Sequence, residues 1–124
     1  MARLLIVDDE MNIRMLIKKY ALFEKYDVEE AENGMEAVAK CRGTDFDLII
    51  MDIMMPEMNG YEATAAIRTM KNRPDARRIP IIAMTANAFA EDVQASLDAG
   101  MNGHLSKPIV VDEVIKTIAR NLDR

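Results

Sequence analysis

Apolar and polar positions alternate along this chain in blocks of two kinds. Short continuous apolar runs fall at 4–7, 48–51 and 79–84, the length of strands buried on both faces. Between them apolar residues recur at helical spacing. Ile13, Leu16, Ile17, Tyr20 and Ala21 predict a first helix, and Ala37, Val38 and Cys41 a second that Gly43 ends. An Ala-rich third helix is expected over about 61–70, after the Asn59-Gly60 turn signal. Phe89, Val93 and Leu97 predict a fourth, capped by Gly100. The stripe Val111, Val114, Ile115, Ile118 and Leu122 predicts a fifth. Strands are expected at 3–7, 27–31, 48–51, 79–84 and 102–105. The acidic second strand suits a sheet edge, with Val28 and Ala31 facing inward. Five βα units without repeat or linker predict an α/β protein with a parallel sheet covered on both faces. The whole chain, 1–124, reads as one domain. Lys71 to Arg78, with Asn72, Pro74 and four basic residues, reads as an exposed, solvated loop.

The ends of the strands carry the candidate chemistry. The first core strand ends in Asp8-Asp9-Glu10, the third in Asp52, the fourth in Thr85, and the fifth leads to Ser106-Lys107-Pro108. In an open parallel sheet these groups gather at one edge, where ligands bind. Clustered carboxylates repel one another unless a cation or an ammonium offsets them. Three carboxylates suit Mg2+, a hard ion that keeps several waters, and Lys107 supplies a fixed positive charge. On this reading Asp52 is a nucleophile that accepts a phosphoryl group, with the cation on Asp9 and Asp52 and the Thr85 hydroxyl toward a phosphoryl oxygen. Taken singly, each residue has a plainer explanation. An Asp at a strand end caps a loop, an Asp pair before a helix favours its dipole, and Thr or Lys-Pro after a strand is common. The combination points to function, because four strand ends deliver complementary groups.

Composition narrows the classes further. Half of the 124 residues are hydrophobic and 30% are charged, as in ordinary globular domains. A net charge of -5 argues against direct nucleic-acid binding. No apolar run has membrane-spanning length, Met1-Ala2-Arg3 opens no signal-peptide pattern, and the single cysteine, Cys41, has no internal partner, so a cytoplasmic location is expected. Cys41 is expected to be a packed helix residue rather than a reactive thiol. Of eleven methionines, Met51, Met54, Met55 and Met58 cluster beside Asp52. Gap filling explains them better than soft-metal binding, because the surrounding ligands are acidic oxygens.

With these residues in place, the chain resembles a receiver domain of a two-component response regulator. The likeness runs from Arg3 to about Leu122 and rests on the stretches 5–10, 47–60 and 81–86 and on Lys107-Pro108. The first half is similar to chemotaxis-type and other ordinary regulators. The second half, through 84–89 and 100–108, is similar to receivers of hybrid sensor histidine kinases. The resemblance implies a flavodoxin-like doubly wound fold with strand order 2-1-3-4-5. It implies Asp52 as phosphoacceptor, Asp9 as direct and Asp8 as water-mediated Mg2+ ligand, and the backbone carbonyl of Met54 as a further ligand. Mn2+ can substitute for Mg2+. Thr85 is implied as the switch hydroxyl, Lys107 as the charge partner, and a cis peptide before Pro108 is expected. The implied phosphoryl donor is a sensor histidine kinase or a phosphotransfer protein. The domain would be no enzyme in the ordinary sense, only a self-catalysing acceptor that also loses its phosphoryl group, and its parent could be a hybrid kinase. A homodimer would form through the face of helix four, strand five and helix five.

Two positions depart from the family pattern. His104 stands where a switch Tyr or Phe is usual. The plainer expectation is a partly exposed ring filling the aromatic slot, and the sharper one an inward swing that depends on pH. The 71–78 segment is longer and more basic than expected. Met54 and Asn87 flank the expected path of attacking water, and Met54 cannot orient water by hydrogen bonding. Three rivals fit less well. A haloacid-dehalogenase-type phosphatase needs an Asp-x-Asp motif, a flavodoxin-like carrier needs a hydroxyl- and Gly-rich phosphate loop, and a phosphorylation-independent interaction module leaves the acceptor set unexplained.

Overall fold

Strands and helices alternate strictly in the computed structural model, which describes residues 1–86 and 90–122. The strands are β1 (Arg3–Val7), β2 (Asp27–Ala31), β3 (Leu48–Asp52), β4 (Ile81–Thr85) and β5 (Gly103–Ser106). The helices are α1 (Met11–Phe23), α2 (Gly34–Gly43), α3 (Gly60–Arg68), α4 (Ala90–Asp98) and α5 (Val111–Leu122). All neighbouring strands run parallel, in the order β2-β1-β3-β4-β5. This is the flavodoxin-like doubly wound arrangement expected from the sequence.

The alternation of side chains along each strand builds two cores. Leu5, Val7, Ile49, Met51, Ile81 and Ala83 pack with α2 and α3 through Ala37, Val38, Cys41, Ala63 and Ile67. Leu4, Ile6, Leu48, Ile50, Ile82 and Met84 face α1 and α5 through Ile17, Ala21, Val114 and Ile118. Being sandwiched, β3 and β4 are buried throughout, which is why they read as unbroken apolar runs. The β2 edge carries its acids half-buried, with Ala31 inward.

Side-chain caps set the starts of α2 and α3, whereas Glu10 before α1 makes none. Asn33 accepts from the Glu36 N–H at 2.8 Å at the head of α2. At α3, Asn59 accepts from the Glu62 N–H at 2.9 Å while Glu62 accepts from the Asn59 N–H at 3.0 Å, a reciprocal capping box. That box starts α3 at Gly60, one residue earlier than the apolar pattern predicts, and the helix ends at Arg68 rather than Met70. Other boundaries also shift. β3 extends through Asp52, β5 covers Gly103–Ser106, and β4 begins at Ile81 because Pro80 has no N–H to give to a ladder.

The basic 71–78 segment is not a simple solvated loop. It contains a 3₁₀ turn, Pro74–Arg77, whose Ala76 is buried, while Arg73 pairs with Asp45. Cys41 is buried, and burial pushes its thiol up to about 11, against the nearby Arg73 charge. Among the described residues no helix is long and apolar enough to cross a membrane. Phe89 and Asn87 lie outside the described residues.

Candidate functional site

Register alone brings the acids together. β1 and β3 are neighbours with Val7 opposite Met51, so the next residues, Asp8 and Asp52, emerge side by side. β4 flanks β3 with Met84 opposite Asp52 and ends at Thr85. β5 pairs Thr85 with Ser106, and the Lys107 N–H donates to the Thr85 carbonyl at 2.8 Å. The Lys107-Pro108 peptide is cis, as expected.

The Lys107 ammonium lies 3.3 Å from Asp8 Oδ2 and 3.4 Å from Asp52 Oδ1, bridging two buried carboxylates. Ligand oxygens of Asp8, Asp9 and Asp52 all lie within 4.8 Å of one another. Asp8 Oδ1 accepts from the Glu10 N–H at 2.8 Å, and Asp52 Oδ1 accepts from the Met54 N–H at 3.3 Å. Asp8 Oδ2, although close to Lys107, accepts no aligned hydrogen bond while fully buried. A buried carboxylate oxygen with acceptor capacity left over, among hard oxygen donors, fits a divalent cation of the Mg2+ type.

The electrostatics agree. Burial, reinforced by the neighbouring Asp8 charge, pushes the Asp52 carboxyl up to about 6, against the pull of Lys107 and the Met54 N–H. Burial also raises Asp8, opposed by the Glu10 N–H and Lys107. Burial alone would lower Lys107, but Asp52 and then Asp8 outweigh it and hold the ammonium above its ordinary value. The cluster carries more negative charge than one lysine relieves.

The loop from β3 to α3 is seated by backbone contacts. The Gly60 N–H donates to the Ile53 carbonyl at 2.9 Å. A Cβ on Gly60 would stand 2.4 Å from the Asp52 carbonyl oxygen, so no side chain fits there. A Cβ on Gly34 would stand 2.7 Å from the Met58 carbonyl oxygen. Within the loop the Met58 N–H reaches the Pro56 carbonyl at 2.8 Å, with Glu57 between them at φ 69°.

Of the residues singled out from the sequence, Asp8, Asp9, Asp52 and Lys107 meet, and Thr85, buried, ends the adjacent strand. Met54 turns its amide to Asp52 and leaves its side chain 75% exposed. His104 is exposed. On edge strand β5 it alternates with inward Leu105 and lines a groove with Glu113, Lys116 and Arg120.

Two arginines escaped the sequence reading. Arg14 donates to the Asp8 carbonyl at 2.6 Å and pairs with Glu30 at 3.1 Å, which Lys18 also reaches at 3.1 Å. Burial alone would raise Glu30, but Lys18 and Arg14 hold its carboxyl below the usual range. Arg68 donates to two backbone carbonyls, Gly100 and Ala76, and to the Asn102 side chain. Neither has a distinctive sequence signal, since arginines on helices are ordinarily solvated.

Comparison with known proteins places this geometry in context. The model of the response regulator receiver domain matches residues 4–119. The transcriptional regulatory protein ResD of Bacillus subtilis (strain 168) is 37% identical over 122 residues, covering 98% of this chain and 48% of ResD. The chain therefore spans about half the length of that curated relative. The chemotaxis protein CheY4 of Vibrio cholerae superposes with a TM-score of 0.91 at 35% identity, covering 98% of this chain and 99% of CheY4. The receiver domain of sensor histidine kinase PA1611 from Pseudomonas aeruginosa PAO1 superposes with a TM-score of 0.88 at 34% identity, covering 99% of this chain and 98% of that one. That structure has a magnesium ion coordinated in its active-site cleft.

Proposed function

The chain belongs to the response regulator receiver family of two-component signalling, and from that premise we propose that Asp52 takes a phosphoryl group from a phosphohistidine. The donor would be a sensor histidine kinase or a phosphotransfer protein. The observation that carries this reading is the buried Asp8–Lys107–Asp52 bridge with Asp9 beside it. A carboxylate held by the Met54 N–H and offset by one ammonium is a positioned nucleophile.

Asp8, Asp9, Asp52 and the Met54 carbonyl would hold Mg2+, or Mn2+ in its place. The bound ion supplies charge neutralisation for the incoming phosphoryl oxygens. In the transfer, an Asp52 carboxylate oxygen forms the new bond to phosphorus as the bond to the donor imidazole nitrogen breaks. Lys107 balances the charge left on Asp8 and Asp52, and the Thr85 hydroxyl donates to a phosphoryl oxygen. The product carries up to two negative charges where Asp52 carried one. That added charge biases a two-state equilibrium in which Thr85 is drawn inward and His104 moves with it. The face formed by β5, α5 and α4 then changes its affinity for partners, a second copy of the chain among them.

Incubation with acetyl phosphate and Mg2+ is expected to add one phosphoryl group by intact mass. The adduct should be absent from Asp52→Asn and should not form when the metal is chelated. An adduct that persists on Asp52→Asn would overturn the assignment. If the swing of His104 depends on its charge, the phosphorylation-dependent shift in partner affinity will differ between about pH 5.5 and about pH 8. An unchanged shift removes that role.

The Met54 side chain offers attacking water no hydrogen bond. Met54→Asn is expected to shorten the phosphoryl half-life roughly three- to tenfold, because an oriented water attacks faster. Decay of the phosphorylated species by phosphate-affinity electrophoresis would check this, and an unchanged half-life would count against Met54 as the controlling position.

A further inference from the structure

We propose that Met54 is an oxidation site through which the redox state sets how long the phosphoryl group survives. The inference rests on the reading of Asp52 as phosphoacceptor and adds a chemical input to that site.

Three observations point to it. Met54 is 75% exposed, the highest among the described methionines after Met1 at the terminus. Its backbone amide donates to Asp52 Oδ1 at 3.3 Å, so the residue that bears this open thioether is held by its main chain at the reacting carboxylate. The thiol does not compete, because Cys41 is buried and pushed up to about 11, while Met11, Met15 and Met35 are open but less so than Met54. Around Met54, the neighbours Met51 and Met55 are buried.

The step needs a two-electron oxygen donor such as hydrogen peroxide. The Met54 sulfur attacks one peroxide oxygen, the O–O bond breaks, and sulfur is oxidised by two electrons. The departing hydroxide takes the proton from the transferred oxygen, leaving a sulfoxide and one water. An apolar side chain two residues after Asp52 thereby becomes a strong hydrogen-bond acceptor. A sulfoxide oxygen can hold and orient water that the thioether could not, so oxidation should accelerate hydrolysis of the aspartyl phosphate. Methionine sulfoxide reductase would reverse it.

The test treats the full chain with graded hydrogen peroxide and maps oxidation by peptide mass. The adduct is then formed with acetyl phosphate and Mg2+, and its half-life measured. Met54 should oxidise at least about tenfold faster than Met51 and Met55, in line with exposure. The half-life should fall roughly three- to tenfold in step with Met54 oxidation, return after reductase treatment, and not respond to peroxide in Met54→Leu. Oxidation of Met54 no faster than Met51 or Met55 overturns the proposal. So does an unchanged half-life at full Met54 oxidation, or the same response to peroxide in Met54→Leu, which would locate the effect at another methionine. If the untreated protein forms no adduct at all, the acceptor reading itself fails and this inference falls with it. Adduct formation without a redox response defeats the inference alone.

Discussion

Asp52→Asn is expected to make the metal-free protein more stable at pH 7.5, by about 1–3 kcal/mol, while removing its phosphoryl acceptance altogether. The Asp52 carboxyl sits 3% exposed next to a second buried acid, and its pKa rises from 3.8 to about 6. The folded state therefore holds the proton more tightly than the unfolded chain does. Between those two values the native state binds more protons, so stability falls as pH rises. The penalty is complete above about pH 6 and nearly gone near pH 4. Asparagine keeps an oxygen for the Met54 N–H and removes the charge, so its advantage should track the same curve. Urea unfolding of both proteins at pH 7.5 and near pH 4, without metal, reads this directly. Added Mg2+ should narrow the gap at pH 7.5, because a cation that binds only the folded wild type stabilises it in proportion to RT ln(1 + [L]/Kd). A variant no more stable at pH 7.5, or with a gain independent of pH, would mean that Asp52 is not held in an unfavourable charge state.

Arg68→Ala should be strongly destabilising although it lies outside the acidic cluster, costing about 2–4 kcal/mol. The guanidinium donates to the Gly100 carbonyl through Nε at 3.1 Å and Nη2 at 2.8 Å. It also reaches the Ala76 carbonyl at 2.9 Å and Asn102 Oδ1 at 2.8 Å. Asn102 Oδ1 accepts from the Ile81 N–H at 2.9 Å as well, which ties the start of β4 to the same hub. Burial lowers the Arg68 pKa, a sign that the charge is held away from water. Removing the side chain strands these acceptors. Arg68→Lys should recover less than half of the loss, because one ammonium cannot span all three sites. The urea midpoint should drop with little change in slope. A loss below about 0.5 kcal/mol would show that water replaces the guanidinium without penalty.

Arg68 also marks where reading the sequence reaches its limit. In one dimension it is a basic residue in the last turn of an amphipathic helix, the usual place for a solvated cation. Only the fold brings Gly100, Ala76 and Asn102 to it. The strands were legible because burial on both faces leaves uninterrupted apolar runs such as Leu48–Met51. The order 2-1-3-4-5 came from family likeness, since periodicity cannot say which strands are neighbours. The acidic cluster was legible for a topological reason. Parallel strands deliver the residues at their C-terminal ends to one edge, so the positions of Asp8, Asp9, Asp52, Thr85 and Lys107 in the chain already implied their meeting. The basic 71–78 segment is mostly exposed, as its composition suggested, but not throughout. Its polar composition conceals Ala76 in the core and Arg73 paired with Asp45. For His104, alternation with buried Leu105 on an edge strand accounts for its exposure.

The two glycines that clamp the β3–α3 loop separate what can drift in this protein from what cannot. A single methyl at Gly60 would collide with the Asp52 carbonyl, and one at Gly34 with that of Met58, whereas a methyl at Gly43 meets nothing. Between those fixed points the Met54 side chain points into open solvent. Lineages of this chain could therefore retune the duration of the signal by single replacements at Met54. Any replacement at Gly60 would instead threaten the existence of the switch. Tempo is open to variation here, and the seat of the chemistry is not.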